Sequence, residues 1–156
     1  MELARGVALR RAGEFIEKAD LRDYGWNLLA SWDGTEVIRQ EVPAGKRFGL
    51  HPQEGWSALE CFFVLEGQAI WEEGNPPVVV KPGDYLAGSP VEEPVMLRAL
   101  TDLTLLYVCS QPSFHMVSDQ VAYLQELAVT VEEKDGYTEG HCRRIRDLSV
   151  QIGRRL

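Results

Sequence analysis

Histidine and cysteine are scarce in this chain, three of each among 156 residues. The cysteines, Cys61, Cys109 and Cys142, stand far apart and form no CxxC pair. That pattern argues against a disulfide framework and fits a reducing, cytoplasmic compartment. Long apolar runs are missing as well. No stretch approaches the roughly 20 apolar residues that cross a bilayer. The N-terminus "MELARGVALRRAGEF" mixes charges where a secretory signal needs an apolar run. Positive charge is also in deficit. The formal net charge is −8, which disfavours nucleic acid or an anionic membrane as a partner, since both are polyanions.

What is present is ordinary globular composition, 45% hydrophobic and 26% charged, on a chain long enough for one domain with a core. The last fourteen residues are different in kind. They carry Arg143, Arg144, Arg146, Arg154 and Arg155 against Asp147. Such asymmetry marks the tail as a separate unit.

From about Trp26 to Ser110 the pattern predicts strands. "WNLLASWDGTEVIRQEV" holds two strand-like runs broken at the turn signal "DGT". "LECFFVLEGQAIWEE" is aromatic and β-branched, with Gly67 interrupting it. "PPVVVKPGDYLAGSP" is a short apolar strand and a Pro-Gly-Asp turn. "VMLRALTDLTLLYVCS" reads as two strands joined at Thr101-Asp102. Several short strands with Gly and Pro punctuation point to a sandwich or barrel. After Pro112 the pattern becomes helical. Val117, Val121, Leu124, Ala128 and Val131 make a short coiled-coil-like seam, with Ser118 or Asp119 as the cap. A second helix, after "KDGYT", puts Ile145, Leu148, Ile152 and Leu156 on one face.

Two stretches of the chain resemble known families. Glu60 to Gly67, "ECFFVLEG", resembles the end of the first cupin motif, and Pro82-Gly83-Asp84 resembles the turn that opens the second. The likeness covers roughly residues 35–110 and implies a mainly β protein, a jelly-roll (double-stranded β-helix) barrel with a central cavity. Metal-binding cupins supply two His and a Glu from the first motif and a His from the second. Glu60 matches the Glu. No His occurs at 53–56, where the His-x-His pair is expected, and Pro94 stands near the place of the second-motif His. His51 is the one substitute, nine residues before Glu60. Transition-metal sites want three or four protein donors, so no metal is expected in the barrel. The resemblance instead implies a small-molecule cavity, for which Trp56, Glu60, Phe62, Trp71 and Tyr85 are the candidate lining residues.

The tail, residues 125–156, resembles the opening of an HD-GYP domain, a metal-dependent phosphohydrolase that cleaves cyclic di-GMP. Asp135, Tyr137, Thr138, His141 and Arg144 carry the likeness. His141 matches that family's first metal-ligand His. The later His-Asp pair and the Gly-Tyr-Pro loop are not in this sequence. The pair of Fe or Mn ions of a complete HD-GYP domain therefore cannot be held here, and the chain reads as a fragment of a cupin–HD-GYP protein. The expected organisation is a cupin barrel over 1–112, a helical linker over 113–134 and an HD-GYP start over 135–156. A homodimer is expected, because the terminal apolar face would otherwise lie bare. Three functions compete: a sensory or regulatory module for an unknown small molecule, a metal-dependent cupin enzyme using His51 and Glu60, and a structural dimerisation barrel.

Overall fold

The computed structural model describes residues 1–21 and 23–120, together with 123, 124 and 127. The chain divides into two compact units, Met1–Met116 and Val117–Leu156. Most of the second lies outside the described residues. So do His141, Tyr137, the terminal face of Ile145, Leu148, Ile152 and Leu156, and the helical seam apart from Val117 and Leu124.

The first unit is built of strands: β1 (Glu2–Ala4), β2 (Val7–Ala8), β3 (Glu17–Leu21), β4 (Tyr24–Trp32), β5 (Thr35–Val42), β6 (Arg47–Leu50), β7 (Glu60–Glu66), β8 (Ala69–Trp71), β9 (Val78–Val80), β10 (Tyr85–Gly88), β11 (Val95–Ala99) and β12 (Leu103–Cys109). A six-stranded sheet runs β10-β7-β12-β5-β4-β3, a four-stranded sheet runs β6-β11-β8-β9, and β1 pairs with β2. All the pairings are antiparallel. Strands that neighbour in the sheet but not in sequence make this a jelly roll.

Local chemistry sets the corners. Asp33 and Gly34 both have positive φ, 48° and 79°, the twist that a two-residue hairpin demands and that Asp-Gly supplies cheaply. Gly67 ends β7 with φ at 82°, and a Cβ there would collide with the carbonyl oxygen of Asp102. No other residue fits.

Alternation does the rest. On β12, Leu103, Leu105, Tyr107 and Cys109 are buried while the residues between them are partly exposed. On β7 the inward set is Glu60, Phe62 and Val64. An aromatic cluster forms in the core. Phe62 stacks on Tyr107 at 4.7 Å and meets Phe48 edge-on at 5.6 Å, and Trp26 lies 5.7 Å from Tyr107 and 6.5 Å from Phe114.

Two expectations are corrected. Strands begin at Glu2, not near Trp26. Every residue of β1 and β2 is exposed, so no apolar alternation announces them. β6 pairs with β11 and carries inward Phe48 and Leu50 within a mixed stretch. Helical backbone begins at residue 114, ahead of Ser118. The cap is Glu36 on β5. Its Oε2 accepts the amide N–H of Ser113 at 2.7 Å and of Phe114 at 2.8 Å, and the Ser113 hydroxyl at 3.3 Å. The first N–H groups of a helix have no intrahelical acceptor, and a carboxylate there is favoured by the helix dipole.

Candidate functional site around Glu60

Glu60 opens β7 and is 5% exposed. Register puts it in one cross-strand row with Cys109 and Glu36 on one side and Gly88 on the other. A buried carboxylate needs donors. Tyr107 donates its hydroxyl to Oε1 at 2.5 Å, and Trp56 donates its indole N–H to Oε2 at 3.0 Å. Each oxygen therefore has a partner from the protein. Trp56 arrives from the loop before β7, where its own amide N–H bonds the carbonyl of Gln53 in a turn.

Burial, the hydrogen bond to Glu60 and a neighbouring contact with Cys109, in that order, hold the Tyr107 phenol well above its ordinary value of 10.0. The neutral phenol is thus the form that donates to the carboxylate. A raised phenol value means the folded chain keeps a proton that the unfolded chain loses. The stability Tyr107 contributes is complete below about pH 10 and is lost as pH climbs from there toward the raised value. We expect the wild-type protein to lose more stability than Tyr107→Phe between roughly pH 10 and pH 11, measured by urea unfolding. Parallel alkaline limbs would contradict this.

The residues singled out from the sequence fall in different places. Trp56, Glu60 and Phe62 come together. Trp71 stands on β8 of the other sheet. Its buried indole N–H has no partner among the described residues, and its ring lies so close to Gly74 that a Cβ there would sit 3.0 Å away. Tyr85 does not line the interior. It is 66% exposed, pairs in register with Phe63 and stacks on that ring at 5.4 Å on the outer face. The inward residue of β10 is its neighbour Leu86, opposite Phe62. Sequence reasoning passed over Tyr107, Cys109 and Glu36. The alternation of β12 was the available signal, since Tyr107 is the hydroxyl on its inward face.

His51 is exposed. It directly follows Leu50, and Pro94 directly precedes Val95, the register partner of Leu50. The structure thus brings His51 and Pro94 to the same strand ends. Among the described residues, no group of three or more His, Cys, Asp or Glu side chains could hold a metal ion. Proline offers no donor atom, and both oxygens of Glu60 are engaged. These residues do not fit a transition metal of the kind His-rich barrels hold.

Comparison with solved structures decides the fold. An RmlC-like cupin protein from Desulfovibrio desulfuricans aligns over 69% of this chain and 99% of its own, with TM-score 0.51 and 20% identity. This chain has the cupin fold. Ectoine synthase from P. lautus aligns over 73% of this chain and 86% of its own, with TM-score 0.57 and 18% identity. A predicted oxalate decarboxylase from Thermotoga maritima aligns over 66% and 97%, with TM-score 0.50 and 21% identity. At these identities the likeness is one of fold. No family model matches the chain, and no curated protein matches it. Among the described residues, no helix is long and apolar enough to cross a membrane.

Proposed function

We propose that this cupin is a regulatory module that binds a small molecule without a metal, serving as the input to an HD-GYP-type phosphohydrolase. One observation carries the non-metal part. The glutamate that matches the fold's metal-ligand position spends both carboxylate oxygens on Tyr107 and Trp56. A metal there would compete with two hydrogen bonds in a buried setting and would find few other donors among the described residues. The pairing with a phosphohydrolase is supported by the resemblance of residues 125–156, which lie outside the described residues apart from residue 127.

Two measurements test the pairing. The sequence encoded beyond Leu156 should continue in frame with His-Asp and Gly-Tyr-Pro motifs, and their absence would leave the barrel without that output. The 156-residue chain itself should hydrolyse no cyclic di-GMP above background, with or without added Mn or Fe, because one histidine cannot hold a metal pair. Turnover that disappears in His141→Ala would overturn this reading.

A further inference from the structure

The N-terminal arm makes a concavity of about 600 Å³ against β4 and β5. That volume falls within the range of small-ligand sites, roughly 300–1,000 Å³. Arg10 and Arg11 come from the arm and Arg39 from β5, while Leu29, Phe15 and Ile16 supply apolar surface. Glu14 is the one acidic residue in the lining, and its carboxylate accepts the backbone N–H of Arg11 at 2.8 Å. Three arginines and one glutamate therefore line the concavity, in a chain whose net charge is −8.

The arginines are also under-used. Arg10 and Arg11 form no ion pair among the described residues. Arg39 is oriented by its Nη2, which pairs with Glu41 at 3.2 Å. Its Nε is buried and has no acceptor among the described residues. A buried donor without an acceptor is costly unless an acceptor arrives. Guanidinium forks match the oxygens of carboxylates and phosphates, and they do so better than ammonium groups.

We propose that this concavity binds a small organic anion, with a carboxylate or phosphate head on Arg10, Arg11 and Arg39 and an apolar body against Leu29, Phe15 and Ile16. The site lies outside the barrel interior and does not depend on the phosphohydrolase pairing or on the state of Glu60.

The test is titration of the full chain, followed by calorimetry and by backbone amide NMR. The probes are phenylacetate, phenyl phosphate, benzylamine and inorganic phosphate. At least one organic anion should bind and shift the amides of residues 6–16, 29–31 and 39. The tighter of the two identifies the head group. Benzylamine should not bind, and inorganic phosphate should bind at least roughly tenfold more weakly than the better organic anion. Arg39→Gln should weaken that anion by roughly tenfold or more. The double substitution Arg10→Glu, Arg11→Glu should do the same. Both positions are exposed, so that variant keeps the test sound if Arg39→Gln fails to fold. No organic-anion binding at millimolar concentration would overturn the proposal. So would binding that survives the double charge reversal, or inorganic phosphate binding as tightly as the organic anions.

Discussion

Glu60→Ala is expected to lower the free energy of unfolding by about 3 kcal/mol. The substitution removes the acceptor of two hydrogen bonds, from Tyr107 at 2.5 Å and Trp56 at 3.0 Å. Tyr107 is 4% exposed, so its hydroxyl finds no replacement in water and pays its desolvation cost in full. A cavity term adds to this. Trp56 is only half-buried, so its indole N–H can turn to solvent, and Trp56→Phe should cost less, about 1 kcal/mol. Tyr107→Phe should fall between the two. Urea unfolding of the three variants measures the order. A loss below about 1 kcal/mol for Glu60→Ala would mean that solvent already satisfies the carboxylate.

Phe114→Ala should cost as much, about 3–4 kcal/mol. Phe114 is fully buried, stacks near-parallel to Trp26 with 10° between the rings, and accepts the Trp26 indole N–H on its carbonyl at 3.3 Å. Residues 113–116 therefore belong energetically to the barrel, although the chain there has already turned helical. Glu36→Gln keeps an acceptor for Ser113 and Phe114 but loses the charge that favours a helix start, and should cost about 1 kcal/mol. If Phe114→Ala unfolded within about 1 kcal/mol of wild type, residues 113–116 would be linker and not barrel.

Most of the strands from Trp26 to Cys109 were legible because they carry their own evidence, β6 in its mixed stretch being the exception. Asp33-Gly34 announces a hairpin, Gly67 a corner that admits no side chain, and the inward residues of β12 recur at every second position. The N-terminal strands were not legible. β3, "EKADL", earns its place by pairing with β4, and nothing in its own five residues says so. The helix start was misplaced for a related reason. Ser118 and Asp119 have the chemistry of caps, but the acceptor in use is Glu36, 77 residues before Ser113. Of the site, Glu60 and Trp56 could be read locally, being four residues apart. Tyr107 is 47 residues from Glu60, and only the β7–β12 register joins them. Tyr85 was misjudged because β10 has four residues and no alternation strong enough to tell inside from outside. Its partner Phe63 settles the parity.

Glu60, which matches the cupin metal-ligand position, is a hydrogen-bonded node of the core, and we propose that it holds no metal. Metal analysis after loading tests it most directly. The purified protein, incubated with Fe, Mn, Ni or Zn and then desalted, should retain less than about a tenth of an equivalent of any of them. Near-stoichiometric metal that is lost in Glu60→Gln would contradict the claim.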